Sequence, residues 1–565
     1  MHLLYSPDEV RAAEAPMLAA CEAAGNPDQL MRQAAYGLAA HIARAVTNRP
    51  ALPEPTVAGP ETLAALTKPA PSMPGAGSQL RGARIVGLIG PGNNGGDGLY
   101  ALAELSGRGA RCVAVMVADR WHERAAAAAA AAGVEVVKHH KREAAQGSGA
   151  TKHNEVLQHL ACADVIVDAV LGIGAKGGMS IPGWDADAQT WAVHGETLDA
   201  LVVAADCPSG LNTQTGNADE MVPLADITVT FGALKRGLVA GAAREKTGDI
   251  YFVEIGLQPP QDTHLMPRLV TPTDAESELL VPRPGDHKYS RGVLGMVAGS
   301  PAYPGAAVLC ATAAAAIGTH DAGRGGIGML VTAGRGAAGQ AVVQTLPEVV
   351  NIDRAELASP AGSAESASNG WPAVTSKVNA WVVGPGLGEE PEDLEPALAV
   401  MRGAQAPVIV DASALAVWEP STAARTDTDA GAEVSTKAHV LTPHAREFLA
   451  LVNRLGIDAA DPAEDPVSAA RDLAAAVGAV VLLKGSATVV AAPSGVTFLA
   501  ASAAATLARA GSGDKLAGVL GAMLATHAAR ASARGEELSP ERIAHLCAAA
   551  AVVHGMKHSA RVDHC

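Results

Sequence analysis

Two groups of short stretches hold residue types that could do chemistry. In the later one, RAGSGDKLAG at 509–518, glycines flank Ser512, and Asp514 follows just before an apolar helical pattern of Leu516, Val519, Leu520 and Met523. Backbone amides at a helix start attract anions. A carboxylate there would compete with a phosphate, unless Asp514 only caps the helix, a position aspartate favours. In the earlier group, GLIGPGNNGGDGLYAL follows an apolar run and precedes a helical one. Its glycine spacing is not that of the dinucleotide fingerprint, and two asparagines intervene. Asn93, Asn94 and Asp97 offer oxygen ligands and hydrogen bonds, while the glycines permit close approach of a ligand.

Neither stretch stands alone. After the first come DAVLGIGAKGG (168–178), ADCPSGLNTQTG (205–216) and ADITVTFGALKRGL (225–238). Before the second come GSPAYPGAA (299–307), GPGLG (384–388), LTPHAREF (441–448) and LKGSAT (483–488). One glycine-rich turn is weak evidence for a site. A series of them at successive strand ends points to a shared cleft, which is where open α/β sheets place ligands.

The elements that must position these turns are legible as alternating strands and helices. SPDEV opens the first helix: Ser6 can cap, Pro7 suits the first helical position, and Glu9 completes a capping box. Strands are expected at RIVGLIG, RCVAVMVA, ADVIVDAVLG, ALVVAADCPSG, ADITVTFG and GDIYFVEIGL. The alternation restarts after QPPQDTHLMPR, at GVLGMVAGS, IGMLVTAG, AWVVGPGLG, PVIVDASAL, HVLTPH and AVVLLKGSATVVAA. Strands alternating with helices indicate parallel sheets covered by helices. The spacing therefore predicts two α/β domains split near 258–275, over 1–260 and 270–565. Segments 49–80, 355–376 and 420–436 are rich in small residues, Pro and Thr and read as loops or insertions.

Composition narrows the class. A chain of 565 residues is too long for one core. Aromatics are only 3%, so the cores must be built from Ala, Val, Leu and Ile. The formal charge of −16 argues against general nucleic-acid binding. The seven cysteines form no CxxC pair, which suits reduced thiols rather than a disulfide frame or zinc site. No apolar run reaches membrane length; the alanine run 125–132 follows Glu123 and Arg124 and reads as a helix of a soluble protein. A cytoplasmic protein is expected, with no nucleic-acid or membrane partner.

The ordered turns of 285–557, from HKYSRG to AVVHG, resemble the ribokinase-like family of ADP- or ATP-dependent NAD(P)H-hydrate dehydratases. Sugar kinases share the terminal G-x-G-D but not LTPH with LKG in this arrangement. The resemblance implies that the amides of Gly511–Asp514 hold a nucleotide phosphate, with Gly513 at the nucleotide. Asp514 would then be the general base that takes a proton from a substrate hydroxyl. It implies a nucleotide-phosphate loop at Lys484, Gly485, Ser486, Ala487 and Thr488, and contacts to the hydrated cofactor from Ala306, Gly386 and His444. ADP is favoured as phosphoryl donor, with magnesium. Lys515 stands where an apolar residue is usual, and 316–328 is longer than the family's compact segment.

Residues 5–257 resemble the NAD(P)H-hydrate epimerase family, giving a Rossmann-like three-layer α/β/α domain. Fusion of the two is a known family arrangement. The dehydratase uses the S epimer at C6 of the nicotinamide ring, and the epimerase interconverts S and R. The resemblance places potassium at Asn94, Asp168 and Ser209, whose oxygen atoms suit a hard cation. It places cofactor contacts at Asn93, Asn94, Gly95, Gly96 and Asp97, at Gly172, Ile173, Gly174, Ala175, Lys176, Gly177 and Gly178, and at Asp206, which is also the expected acid–base residue. Ala35 replaces a glycine usual in the family, and Cys207 stands where an apolar residue is common. The expected substrates are the small molecules NADHX, NADPHX and ADP, and a homo-oligomer is expected. The rival reading is a ribokinase-like kinase of a small alcohol with a non-catalytic nucleotide-binding scaffold before it.

Overall fold

The computed structural model describes residues 1–47, 80–139, 148–174, 180–260, 264–317, 326–354, 357, 373–420, 439–501 and 507–559. The chain divides into two compact units, Leu3–Thr263 and His264–Cys565 with Met1–His2. The stretches 49–79, 358–372 and 421–436, read as loops or insertions, lie outside the described residues.

In the first unit, α1 (Pro7–Ala23) begins with the expected capping box: Ser6 accepts from the Glu9 amide, and the Ser6 amide donates to Glu9. Then follow α2 (Gln29–Thr47), β1 (Arg84–Ile89), α3 (Asn93–Gly107), β2 (Arg111–Met116), α4 (Glu123–Ala131), β3 (Glu135–Lys138), α5 (Ser148–Ala161), β4 (Val165–Ala169), β5 (Leu201–Ala205), β6 (Ile227–Phe231) and β7 (Asp249–Val253). The seven strands form one parallel sheet in the order β7-β6-β5-β4-β1-β2-β3. Order reverses beside β1; Asn93–Asp97 follow β1, Asp206 follows β5, and Asp168 is the penultimate residue of β4. β4 and β5 are buried along their whole length, as a sheet covered on both faces requires. Ala35, which replaces the usual glycine, is fully buried on α2. Closest approach falls instead at Gly37, where a Cβ would lie 2.5 Å from a Val253 methyl.

The second unit repeats the principle. Its elements are β8 (Val293–Val297), α6 (Pro304–Ala315), β9 (Met329–Thr332), α7 (Ala337–Thr345), β10 (Ala380–Val383), α8 (Pro391–Gly403), β11 (Val408–Val410), α9 (Ser413–Val417), β12 (His439–Leu441), α10 (Ala445–Leu455), α11 (Pro466–Val477), β13 (Val480–Leu483), β14 (Thr488–Ala491), β15 (Thr497–Ala500), α12 (Ser512–Ser532) and α13 (Pro540–Ser559). The strands run β15-β14-β13-β12-β11-β10-β8-β9, parallel from β9 to β13 and antiparallel across β13, β14 and β15. Helix α12 is buried along most of its length against β8, β10 and α6, with Gly518 against the Cys310 carbonyl. A central helix needs small residues for such approach. The 3% aromatic content and the alanine-rich core are two sides of that packing. The α/β class expected for both halves is the class observed.

Candidate active sites

The first site lies at the ends of β1, β4, β5 and β6. Asp168, the penultimate residue of β4, is buried. Its Oδ2 accepts from the Ser209 amide at 2.8 Å and its Oδ1 from Ser209 Oγ at 2.5 Å. Burial raises the Asp168 pKa against these hydrogen bonds. Asn94, at the start of α3, donates through Nδ2 to the Leu171 carbonyl at 3.1 Å, and the Leu171 amide donates to Ser209 Oγ at 2.8 Å. Asn94, Asp168 and Ser209 thus share one buried knot. Within it Asn94 Oδ1 has no hydrogen-bond partner. An orphaned buried acceptor costs about 1–3 kcal/mol.

Asp206 follows β5 in a left-handed conformation, φ +64°. Its Oδ1 accepts from Thr230 Oγ1 at 3.0 Å, the Phe231 amide at 3.2 Å and the Lys235 ammonium. Lys235 is almost wholly buried and also donates to Thr230 Oγ1 and the Phe231 carbonyl. Two more carboxyl groups feel this pair. Enclosure, with the charges of Asp206 and Glu14, pushes the Asp97 pKa well up against the pull of Lys235. Burial raises Glu14 as well, with Lys235 opposing and Asp206 reinforcing. Cys207 is buried, its thiol pushed well up by burial, and packs as a small apolar residue.

Three close approaches explain the glycines of this site. A Cβ on Gly95 would overlap the Gly90 carbonyl, one on Gly96 would lie 2.5 Å from Met31 Sδ, and one on Gly172 would lie 3.1 Å from Asn94 Cβ. Asn93, Ile173 and Gly174 lie on the same two strand-end segments. Ala175, Lys176, Gly177 and Gly178 lie outside the described residues. Lys235 and Glu14 went unremarked in the sequence. Lys235 stands in the quoted ADITVTFGALKRGL, and the signal available was the Lys-Arg pair that follows a largely apolar run.

The second site lies at the ends of β8, β10, β11, β12 and β13. Gly511 caps α12 with φ +83°, and Asp514 sits in the first turn, half-buried. Burial and the neighbouring charge of Asp411 raise the Asp514 pKa, and Lys484 opposes them. Lys484 leaves β13 and forms an ion pair with Asp411 at 2.8 Å, with Glu447 at 3.6 Å. Burial works to lower the Lys484 pKa, but those two carboxylates outweigh it and the net shift is upward. A Cβ on Gly513 would lie 3.9 Å from Lys484 Nζ, so Lys484 and the helix-start turn face each other. Gly485, Ser486, Ala487 and Thr488 carry the chain from Lys484 into β14.

Ala306 and Gly386 meet. Gly386 has φ +62°, and a Cβ there would overlap the Ala306 methyl. Their loops are also tied by a hydrogen bond from the Gly299 amide to the Pro385 carbonyl, 2.7 Å. His444 caps α10. Its Nδ1 accepts from the Arg446 and Glu447 amides, and its own amide donates to Glu447. The cap commits Nδ1 as acceptor and leaves the Nε2 edge of a half-exposed ring facing outward. Asp411 and Glu447 were missed; each sits inside a quoted motif but gains meaning only through Lys484.

These two clusters, each at the strand ends of an open α/β sheet, define a two-domain protein with a separate site in each half. The comparisons agree with that division. The NAD(P)H-hydrate dehydratase family model matches residues 294–560, and that of the YjeF-related protein N-terminus matches 27–237. The bifunctional NAD(P)H-hydrate repair enzyme Nnr of Mycobacterium tuberculosis is 37% identical over 528 residues, covering 93% of this chain and 90% of that one. The enzyme of the same name from Moorella thermoacetica is 34% identical, covering 78% and 79%. A crystal structure of the ADP/ATP-dependent NAD(P)H-hydrate dehydratase from Bacillus subtilis, co-crystallised with ATP and Mg2+, is 26% identical. It covers 53% of this chain and 90% of its own, with a TM-score of 0.39. The chain belongs to the family of bifunctional NAD(P)H-hydrate repair enzymes. Among the described residues, no helix is long and apolar enough to cross a membrane.

Proposed function

We propose that the chain repairs hydrated nicotinamide cofactors at two sites. The N-terminal one interconverts the R and S epimers of NADHX and NADPHX. The C-terminal one dehydrates the S epimer with ADP, releasing AMP and phosphate. The carrying observation is Asp514: a carboxylate of raised proton affinity in the first turn of α12, beside the amides of Gly511–Asp514 and opposite the partly buried Lys484.

Asp514 takes the proton from the C6 hydroxyl, whose oxygen attacks the terminal phosphorus of ADP while AMP leaves. The helix-start amides and the Lys484 ammonium face the charge that develops on the transferring group. The new phosphate ester is a better leaving group than hydroxide. Its departure from C6 with loss of the C5 proton restores the dihydropyridine. Ala306 and Gly386, in contact at the other wall, shape the space for the nicotinamide ring, and His444 offers its Nε2 edge. Among the described residues no three carboxylate, histidine or cysteine ligand atoms converge in this cleft. Magnesium is therefore expected to enter with the nucleotide, held by its phosphates and water.

In the N-terminal site Asp206 is the acid–base group, with Lys235 holding its carboxylate in place. The donor set of Asn94, Asp168 and Ser209 fits potassium: the unpartnered Asn94 Oδ1 and the Asp168 carboxylate supply the hard oxygens such a cation takes. Bound there, potassium would supply positive charge that offsets the buried Asp168. A cytoplasmic location matches the substrates.

The test uses purified protein, each hydrate epimer and ADP. Restored dihydronicotinamide absorbance from both epimers, with AMP and inorganic phosphate released, is expected. A stable phosphorylated product would mark a kinase instead. Loss of R–S exchange in the absence of ADP would remove the epimerase reading.

A further inference from the structure

We propose that Asp411 is a positioning residue of the dehydratase site, holding the Lys484 ammonium against the Gly511–Asp514 turn before any nucleotide arrives. The inference rests on the C-terminal half of the functional reading above.

Three neighbouring parallel strands deliver the parts. Asp411 follows β11, Thr442 follows β12, and Lys484 follows β13. Asp411 is buried, and its Oδ1 accepts from Lys484 Nζ at 2.8 Å and from Thr442 Oγ1 at 2.7 Å. Thr442 thus fixes the carboxylate that fixes the lysine. The Lys484 amide donates to the Pro443 carbonyl at 2.9 Å, so both ends of the lysine are tied to the same strand ends. The backbone is bent to make this possible. Ala412, next in chain, has φ +49°, and Gly384 lies so close to the Asp411 carbonyl that any Cβ there would overlap it. A non-glycine residue at positive φ is strained and persists where its surroundings enforce it.

The arrangement has a functional consequence. A free lysine side chain sacrifices rotamer entropy when it is immobilised. Here the Asp411 contact immobilises it in advance, with its head across from Gly513. Asp411 also acts on Asp514 through charge. Its carboxylate raises the proton affinity of Asp514 while Lys484 lowers it. Other titratable neighbours are Glu447 and His444 on α10, Cys310 on α6, whose thiol burial keeps protonated, and His554 on α13, whose Nε2 lies 3.2 Å from Ser512 Oγ. These are common to every variant below, so their contributions cancel in the comparison.

The experiment measures the pH dependence of kcat/KM for the S hydrate, and KM for ADP, in the intact chain. Dehydration needs ionised Asp514, so the rate falls as pH drops through its raised pKa. Asp411→Asn removes a negative neighbour and frees Lys484 to approach Asp514. Both changes move the acid limb to lower pH, by about one unit, and KM for ADP rises about tenfold or more. Lys484→Met moves the acid limb the opposite way. Thr442→Val keeps both charges, so KM for ADP rises severalfold while the acid limb stays. A purely structural role for Asp411 would lower the amount of active enzyme without moving the limb. The proposal is overturned by an unmoved limb and unchanged ADP KM in Asp411→Asn, by shifts of the same sign in Asp411→Asn and Lys484→Met, or by an unchanged ADP KM in Thr442→Val. A wild-type protein that releases no AMP and phosphate from hydrate would instead remove the functional reading itself.

Discussion

The two candidate sites hold their carboxylates in opposite ways. In the N-terminal unit Asp168, Asp206, Ser209 and Lys235 are all buried, Asp168 tied to Ser209 and Asp206 to Lys235. In the C-terminal unit Asp514 is half-buried at a helix start, His444 is half-exposed, and Lys484 reaches its carboxylates across a cleft walled by glycines. The contrast follows from the reactions proposed. Epimerisation admits a single substrate and moves no charged group, so its charges can be neutralised internally once and for all. Phosphoryl transfer must admit a nucleotide carrying several negative charges. Its cation and its anion hole have to stay within reach of solvent until that moment.

The largest expected effects break the comparison at the two carboxylates. Asp514→Asn should lower dehydration by about 10²–10⁴-fold, the usual worth of a general base, while ADP-independent exchange of R and S continues at the wild-type rate. A mutant that still dehydrates normally would remove Asp514 from the mechanism. Asp206→Ala should do the converse, slowing use of the R epimer and sparing the S epimer. Equal loss with both epimers would count against a separate epimerase site.

The next effect tests the claim that the N-terminal charges are neutralised internally. Lys235→Met leaves the Asp206 carboxylate buried without its cation. Breaking a buried ion pair at one partner costs about 3–5 kcal/mol. The thermal transition of the N-terminal unit should fall and exchange should be lost, while ADP-dependent dehydration of the S epimer stays close to wild type. Lys484→Met, whose lysine keeps more solvent contact, should cost less stability. Equal destabilisation by both would erase the contrast drawn between the sites. A third, smaller effect belongs to the open cleft. Gly386→Ala forces a side chain at φ +62° into the Ala306 methyl. It should destabilise by about 1–3 kcal/mol and raise KM for the hydrate more than KM for ADP. The reverse ratio would place the nucleotide, not the nicotinamide, at this wall.

Most of the scaffold was legible in the sequence because parallel sheets covered by helices leave a local record. β4, β5 and β6 are largely apolar, fully buried runs leading into glycine-containing turns, and the Ser6–Glu9 capping box is a four-residue pattern. The positions of Asn94, Asp206, Lys484 and Asp514 in the fold could be anticipated for the same reason: each follows a strand or opens a helix, while Asp168 is the penultimate residue of β4. What was not legible is the pairing. Lys484 and Asp411 are 73 residues apart, and nothing local distinguishes Asp411 from a turn-forming aspartate. Lys235 lies 29 residues beyond Asp206, in a run whose only charge pattern is Lys-Arg. Its burial depends on β5 and β6 lying side by side. His444 shows the converse. Its position in LTPH suggested a ligand contact, and the fold spends one of its nitrogens on capping α10.

The smallest expected effect concerns the ground beneath the N-terminal site. Asp28 is buried below α3 and accepts from Tyr100 Oη at 2.7 Å and from Arg124 at 2.6 and 2.9 Å. The Arg124 hydrogen bonds are the main cause of its low pKa, about 2. Burial opposes them, and Tyr100 and His122 assist. A carboxylate whose folded pKa is depressed below the unfolded value of about 3.9 contributes its stability above that unfolded value. The contribution is lost as pH falls through about 2. Arg124 is largely exposed, so solvent screens the pair and the contribution is about 1–2 kcal/mol rather than the full linkage value. Between pH 5 and 2, the thermal transition of the wild-type N-terminal unit should therefore fall more steeply than that of Asp28→Asn, which has no proton to bind there. Tyr100 stands on the same helix as Asn94 and Asp97, so this acid loosening should lower epimer exchange before it touches dehydration. Parallel pH slopes for the two proteins would show that the Asp28 cluster packs the helix without anchoring it by charge.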